Sequence, residues 1–201
     1  MRHVAILPIT ALLISLSLRV AAAEPTAEFP SYAVGDTWTI ERSAGPNTDL
    51  KLVAIENNLM VMTGFQQCPQ CRAYLDRNLA PIKLLDEAGK PLSSARGLFS
   101  WGYPGWKYLD WPLTPNKTWR IEADGLFNNQ VLRYTIDITV LGVEEVETKA
   151  GTFEAFKISR KWQSGKWQMS ETLWWSSTVK WYVKRTGDKE AGWELKSFTV
   201  K

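Results

Sequence analysis

The stretch that decides the fold is Leu132-Arg133-Tyr134-Thr135-Ile136-Asp137-Ile138-Thr139-Val140. Apolar and polar residues alternate strictly along it, which is typical of a β-strand with one buried and one solvated face. We therefore predict a strand here, with Tyr134, Ile136 and Ile138 on the buried face. The alternation slips at Leu141-Gly142-Val143, where the glycine indicates a bulge or a bend.

The same period of two recurs through most of the chain, and no segment after residue 23 has the period of an amphipathic helix. The further β-rich runs are Asp36–Arg42, Leu50–Ile55, Leu59–Phe65, Phe156–Trp162, Trp167–Trp175, Val179–Val183 and Trp193–Val200. Short turn signals separate them, among them Asn57-Asn58. These features predict an all-β fold: an antiparallel meander of at least eight strands, curled into an open barrel or cup.

The N-terminal segment has the pattern of a secretory signal peptide. A short basic start precedes a mostly apolar run from Val4 to Leu18, and Ala21-Ala22-Ala23 matches the small residues of a cleavage site. We predict a signal peptide over residues 1–23 and a single β-rich domain over residues 24–201, exported to the periplasm or secreted. No other apolar stretch is long enough to span a membrane, and no cysteine follows the predicted cleavage site to carry a lipid.

Composition argues against several functional classes. The only histidine, His3, lies in the predicted signal peptide, so the exported chain cannot form a Ser-His-Asp triad, a Cys-His pair or a histidine metal site. We predict no catalytic residues, metal or cofactor. Residues 1–23 hold two arginines and no acidic residue, so the exported chain keeps 22 basic and 21 acidic residues. A net charge of +1 argues against nucleic-acid binding.

The two cysteines form the motif Cys68-Pro69-Gln70-Cys71. Because exported compartments are oxidising, we predict a disulfide that closes a hairpin turn. The motif lacks the following histidine of a haem-attachment site, and two cysteines are too few for a structural zinc site. A thiol–disulfide function remains an alternative, since Cys-x-x-Cys is also the motif of thioredoxin-like redox sites.

The stretch from Val143 to Ile158 reads as a strand ending in Glu-x-Val-x-Thr, then Ala-Gly-Thr-Phe, then a strand ending in Lys-Ile. It resembles a hallmark of TapB-like secreted bacterial proteins, a family of unknown function. Two shorter motifs are similar to the same family: Asp76-Arg77-Asn78-Leu79, and Trp111-Pro112-Leu113 leading to Asn116-Lys117-Thr118-Trp119. The chain departs from the pattern at Ser176-Ser177-Thr178-Val179. The resemblance implies a curved, exported all-β domain without known catalytic residues.

An aromatic run lies in a segment rich in glycine and proline. Its members are Phe99, Trp101, Tyr103, Trp106, Tyr108 and Trp111. Exposed rings on such a loop could stack on a ligand or a protein partner. Alternatively, the rings fold back and plug the mouth of the curled sheet, because a patch of three exposed tryptophans exceeds what soluble monomers tolerate.

A second candidate site comes from the predicted hairpin around Ser164-Gly165. A two-residue turn there places Trp162 opposite Trp167, with Arg160 and Glu171 diagonally adjacent on the same, otherwise apolar face. A buried arginine on a concave apolar face could bind a carboxylate or phosphate head group. The alternative is a partly exposed ion pair near a sheet edge, which contributes little.

Together these features predict an exported, non-enzymatic domain that binds a hydrophobic or amphipathic small molecule, or an envelope protein, on an aromatic concave face. The candidate binding residues are Trp162, Trp167, Arg160, Glu171, Trp101, Trp106 and Trp111. Two alternatives remain: a thiol–disulfide protein that uses Cys68 and Cys71, and a structural envelope component with a filled interior.

Overall fold

The computed structural model describes residues 23–65, 68–92, 106–127, 130–189 and 192–201. Residues 1–22 of the predicted signal peptide lie outside this part of the chain, as does Trp101 of the aromatic run. None of the described residues is helical, so no described helix could cross a membrane.

Eleven strands make up the regular structure of the described residues. They are β1 (Thr37–Arg42), β2 (Thr48–Glu56), β3 (Leu59–Thr63), β4 (Arg72–Leu75), β5 (Pro81–Leu85), β6 (Thr118–Phe127), β7 (Gln130–Thr148), β8 (Gly151–Ser164), β9 (Trp167–Ser176), β10 (Trp181–Gly187) and β11 (Trp193–Thr199). They form one sheet in the order β5-β4-β3-β2-β1-β11-β10-β9-β8-β7-β6.

Every neighbouring pair of strands in this sheet is antiparallel. The chain runs outward from β1 to the edge strand β5, crosses to the opposite edge at β6, and returns strand by strand to β11 beside β1. Since β5 and β6 stay at opposite edges, the described strands do not close into a barrel. The predicted fold class, an all-β antiparallel meander curled into an open cup, is confirmed.

The turn between β2 and β3 shows how local sequence sets the register. Asn57 and Asn58 have φ of 51° and 62°. A tight two-residue hairpin turn needs positive φ at both central positions, and asparagine tolerates this conformation better than most residues. The Asn-Asn signal in the sequence therefore fixes where β2 ends and β3 begins.

The β7–β8 hairpin is much longer than the strands beside it. Its ladder shifts register between Val140 and Gly142, which is the bulge that the alternation predicts. Beyond the bulge, the tip of the hairpin reaches β11, where the Ala150 amide donates to the Leu195 carbonyl over 3.1 Å. The tip is thus hydrogen-bonded to β11.

The main core lies on the face of the sheet that carries Arg160 and Trp162, which we call the inner face. Trp38 and Trp175 are completely buried in this core. The Trp38 indole N–H donates to the Val179 carbonyl over 2.8 Å, so this large ring is buried without leaving its one donor unpaired.

Residues 106–113 cross the inner face, and we call them the covering segment. Trp106, Leu109 and Leu113 in this segment are buried. The Leu109 amide donates to the Asn78 carbonyl over 3.1 Å, and Leu113 exchanges two backbone hydrogen bonds with Ala27. These bonds hold the covering segment against the sheet.

Cys68 and Cys71 are joined by a disulfide in the connection between β3 and β4. The Cys71 amide donates to the Cys68 carbonyl over 3.0 Å, which closes a reverse turn. Cys71 is buried, with 1% of its surface exposed. The bond therefore reinforces a turn that backbone hydrogen bonds already define.

Replacing both cysteines with serine is expected to preserve the fold and to lower the free energy of unfolding by about 2 kcal/mol. The cysteines are only three residues apart, so the bond restricts the unfolded chain little. Urea unfolding followed by circular dichroism measures the change. A variant that no longer folds would show that the disulfide, and not the sheet, holds this region together.

Candidate functional site

The inner face of β7, β8 and β9 carries the candidate residues in register. Arg160 on β8 pairs directly with Glu171 on β9 and with Ile138 on β7. Trp162 pairs with Met169, two residues further along the ladder. Directly opposed residues point to the same face of a sheet, so Arg160, Glu171, Trp162 and Met169 all belong to the inner face.

The predicted position of the β8–β9 turn was wrong by one residue. Ser164 pairs with Trp167, so the two turn residues are Gly165 and Lys166. Gly165 has a φ of 57°, and glycine takes up this conformation at the first turn position without steric cost. Moving the turn by one residue changes the partner of each β8 residue by two positions on β9. Because two residues are the repeat of a strand, the predicted common face is retained. Arg160 and Glu171 are directly opposed, and not diagonal as predicted.

The two tryptophans of the hairpin have different surroundings. Trp162 is partly buried, and its indole N–H donates to Glu171 Oε1 over 2.9 Å. Trp167, next to the turn, is 42% exposed. Its ring lies edge-on to that of Tyr134 on β7, with 6.4 Å between the ring centroids.

The aromatic run folds back onto the inner face wherever the structure describes it. Trp106 packs against Trp162, with 6.0 Å between the ring centroids. Trp111 packs edge-on against the buried Trp175 at 4.9 Å, and its indole N–H donates to the Arg77 carbonyl. The described part of the run thus fills the mouth of the cup.

A cluster of three charged side chains lies beside these rings. Arg185 Nε on β10 donates to Glu171 Oε2 over 2.5 Å. Arg160 Nη1 lies 3.6 Å from Glu171 Oε1. Only 8% of the Arg160 side chain and 4% of the Glu171 side chain are exposed, so this is a buried cluster and not a surface pair.

Burial raises the pKa of the Glu171 carboxyl. The charges of Arg160 and Arg185 and the hydrogen bonds from Trp162 and Arg185 outweigh that effect, and the pKa lies below its ordinary value of 4.5. Glu171 is therefore an ionised acceptor at neutral pH. That state does not suit a general acid, which must hold a proton near the working pH.

The arginine is also enclosed by two tyrosine rings. Its guanidinium carbon lies 4.9 Å from the ring centroid of Tyr108 and 5.3 Å from that of Tyr182. Arg160 Nη2 donates to the Tyr182 hydroxyl and to the Tyr108 carbonyl. Burial raises the pKa of both phenols, so both rings are neutral and can stack on the cation.

A cavity of about 460 Å³ lies next to this cluster. Its wall consists of the charged cluster, seven aromatic rings and a few aliphatic side chains. The aromatic rings are those of Phe65, Tyr108, Tyr134, Trp162, Trp167, Trp181 and Tyr182. The aliphatic part comes from Leu75, Leu79, Pro81 and Met169. The cavity thus combines a largely apolar wall with one charged corner.

Sequence reasoning missed Arg185 and Tyr182 as members of this site. The β9–β10 ladder shifts register between Tyr182 and Lys184. The extra residue at this bulge places Tyr182 and Arg185, which are three positions apart, on the same face. No glycine in the sequence marks this bulge. Only the charge of Arg185 near an aromatic strand could have indicated it.

The described residues contain no group of three or more histidine, cysteine, aspartate or glutamate side chains that could hold a metal ion. Other cavities occur among the described residues, and one of them, lined by Tyr32, Met60 and Arg77 among others, is larger at about 670 Å³. Another, lined by Leu132, Tyr134 and Trp167, adjoins the 460 Å³ cavity at the exposed end of the β8–β9 hairpin.

The stability that Glu171 provides is expected to depend on pH. A carboxyl with a lowered pKa stabilises the fold above its ordinary pKa, and this contribution is lost as the pH falls through the native value. The difference in unfolding free energy between wild type and Glu171→Gln should therefore be constant above about pH 5 and shrink below it. Urea unfolding at a series of pH values measures it. A difference that persists unchanged to about pH 3 would contradict an ionised Glu171.

Fold and site together define this protein as an open antiparallel β-cup with a buried arginine–glutamate–arginine cluster in the wall of an aromatic cavity. No protein-family model and no curated protein matches the chain. The resemblance to TapB-like proteins therefore stays a prediction.

Among solved structures, the chain is similar to the hypothetical lipoprotein YmcC from Escherichia coli K12, with 11% identity, a TM-score of 0.47, and coverage of 85% of this chain and 89% of that one. A candidate lipoprotein from Parabacteroides distasonis and a candidate exported protein with a YmcC-like fold from Bacteroides fragilis have TM-scores of 0.41 and 0.40. Their identities are 15% and 16%, and each comparison covers 86% of this chain and 99% of the other. Similarity at this level carries no argument about the site.

Proposed function

We propose that this protein is an exported, non-enzymatic binding protein that holds a hydrophobic or amphipathic ligand in the cavity on its inner face. The cavity itself carries the proposal. Its volume of about 460 Å³ falls within the range of small-molecule sites, roughly 300–1,000 Å³. Such sites are mostly apolar with a few placed polar groups, and this wall has the same composition.

The packing around the cavity supports a binding role over a purely structural one. A structural envelope component would need only a filled interior, and the covering segment already fills most of the cup. The rings of Trp106 and Trp111 are packed against the sheet, yet the space between Trp162, Met169 and Leu79 is left open. An open cleft of this size with a largely apolar wall is typical of small-molecule sites and favours an occupant.

The surroundings of the disulfide favour a structural bond over a redox site, and in this way they support the binding role less directly. Reactive thiols of Cys-x-x-Cys motifs are partly exposed and lie at helix N-termini or near basic groups. Cys71 is buried and Cys68 is partly exposed, but the motif here forms a reverse turn between two strands and does not begin a helix. This setting suits a structural bond that holds Phe65, a wall residue of the cavity, in place.

The proposal is tested with the neutral fluorescent probe N-phenyl-1-naphthylamine, which brightens in apolar surroundings. Met169 is buried and lines the cavity, so Met169→Trp fills part of it. The matched control is Leu141→Trp, which adds the same ring at a position that is 51% exposed and outside the cavity.

Wild type and Leu141→Trp are expected to bind the probe with equal affinity. Met169→Trp is expected to bind it at least about tenfold more weakly, since a filled pocket loses the contacts of several ligand atoms. If the probe binds all three proteins alike, or none of them, the cavity is not a ligand site. Thermal melts of the three proteins show whether each variant is folded at the assay temperature.

A further inference from the structure

Arg160 is a buried cation whose hydrogen-bonding capacity is only partly used. A guanidinium carries five N–H donors. Nη2 donates to the Tyr182 hydroxyl and, over 3.4 Å, to the Tyr108 carbonyl. Nε is buried and has no acceptor among the described residues. A buried donor without an acceptor costs free energy, so an unpaired Arg160 Nε requires an explanation.

Glu171 does not supply the missing acceptor, although it is the carboxylate nearest to Arg160. Its Oε1 accepts from the Trp162 indole over 2.9 Å, and its Oε2 accepts from Arg185 Nε over 2.5 Å. The contact between Arg160 Nη1 and Glu171 is 3.6 Å long, which is an ion pair but too long for a strong hydrogen bond. Glu171 is committed to Trp162 and Arg185, and Arg160 is left with donors to spare.

The position of Arg160 gives its Nη donors a use. Its side chain lines the cavity together with Trp162 and Met169. Nε itself has almost no accessible surface, so a ligand in the cavity would meet the Nη end of the guanidinium, where Nη1 has only the 3.6 Å contact with Glu171. Charge-assisted hydrogen bonds from a guanidinium to a carboxylate are among the strongest that proteins form, and they strengthen further where water is excluded. We infer that the cavity takes a single-chain amphiphile with a carboxylate head group, the head on Arg160 and the chain along Trp162 and Met169. This inference rests on the proposed function, because it names the ligand class of the same cavity.

The charge of the head group follows from its neighbour. Glu171 is a second negative charge within 3.6 Å of the same guanidinium. A doubly charged head group would be repelled more strongly by Glu171 than a singly charged one. A cationic head group would be repelled by Arg160 and would offer no acceptor to its N–H groups. The site therefore favours one negative charge.

The size of the chain follows from the cavity. If each heavy-atom group takes about 30 Å³, as a liquid water does, then 460 Å³ holds about 15 such groups. Dodecanoate is close to this size and is the probe of choice. Dodecan-1-ol and dodecyltrimethylammonium have the same chain with a neutral and a cationic head.

The experiment measures displacement of N-phenyl-1-naphthylamine by these three compounds, the two charged ones below their micellar concentrations and dodecan-1-ol below its solubility limit. Wild type is compared with Arg160→Met/Glu171→Leu, which removes both charges together and avoids stranding either one. The matched control is Arg120→Met/Asp137→Leu. It removes a cross-strand ion pair of β6 and β7 that is about half exposed and does not line the cavity.

Wild type and the control are expected to bind dodecanoate at least about tenfold more tightly than dodecan-1-ol, and dodecyltrimethylammonium most weakly of the three. In Arg160→Met/Glu171→Leu, the preference for dodecanoate over dodecan-1-ol should disappear. The comparison of the three compounds on wild type alone tests the inference if the double variant does not fold.

The possible failures are distinguishable. If neither the fluorescent probe nor any of the three compounds binds wild type, the proposed function fails. If the three compounds displace the probe from wild type with equal affinity, or if the double variant keeps the preference for dodecanoate, the cavity binds apolar chains but Arg160 does not select the head group. Either of these last results overturns the inference and leaves the proposed function standing.

Discussion

Glu171→Leu is expected to lower the free energy of unfolding by about 3–5 kcal/mol. Leucine is similar in size, so the loss comes mainly from charge. Without Glu171, the guanidinium of Arg160 is buried with no carboxylate near it, and the Trp162 indole loses its acceptor. Removing one partner of a buried ion pair leaves such an uncompensated charge, which is far more costly than losing a surface pair.

Arg160→Met is expected to cost less, about 1–2 kcal/mol, mainly through lost stacking on Tyr108 and Tyr182. Glu171 keeps its hydrogen bonds from Arg185 and Trp162 in this variant, so it is not stranded. The sequence alone, which suggested an isolated pair of Arg160 and Glu171, predicts that both single substitutions are damaging if the pair is buried. The structure predicts an asymmetry because Glu171 has a second cationic partner.

The double variant Arg160→Met/Glu171→Leu should be more stable than Glu171→Leu alone, with a coupling energy of about 2 kcal/mol between the two positions. Urea unfolding of wild type, both single variants and the double variant gives the complete cycle. Two single variants as stable as wild type would place the cluster in water and remove the case for a polar anchor in the cavity.

Gly64→Ala is the second change with a large expected effect, about 3 kcal/mol or more. Gly64 follows β3 with a φ of 91°, and an added Cβ would lie 1.7 Å from the Asp49 carbonyl oxygen. Asp49 is held in β2 by its pairing with Thr39 on β1. The backbone therefore cannot move aside without disturbing the sheet. Strain in the left-handed region adds to the clash.

Gly89→Ala is the matched control. Gly89 has a similar φ of 79°, but no atom lies within 4 Å of its added Cβ. It should cost only the conformational strain, about 1 kcal/mol. Thermal and urea unfolding of both variants measure the difference. Equal destabilisation would mean that the close approach of Gly64 to β2 contributes nothing beyond its backbone conformation.

The strands of the second half of the chain could be predicted from the sequence because alternation and burial agree there. Ile136 and Ile138 were placed together on one face by period alone, and the ladder between β7 and β8 agrees, since it pairs them with Trp162 and Arg160. Turn chemistry was equally informative at Asn57-Asn58. The β8–β9 turn was misplaced because Ser164 and Gly165 are both turn formers, and the pattern on either side is compatible with both positions.

The composition of the site could be predicted only in part. Arg160, Glu171 and Trp162 share a hairpin, so their proximity is a local property. Arg185 reaches Glu171 through a bulge that no residue in the sequence signals. The contact of Arg160 with Tyr108 joins residues 52 positions apart, through a covering segment of irregular structure. Such contacts depend on the path of the chain across the sheet, and no local pattern encodes them.

The most direct test of a ligand site in the cavity is native mass spectrometry of the protein purified without detergent from its own host. Wild type and Leu141→Trp are expected to carry a bound small molecule, and Met169→Trp, with its cavity filled, is expected to carry less of it or none. Collision-induced release and accurate mass identify the compound, and a carboxylic acid would agree with the head group inferred for Arg160. Ligand-free wild type, or an adduct that is equally abundant in all three proteins, would contradict the account.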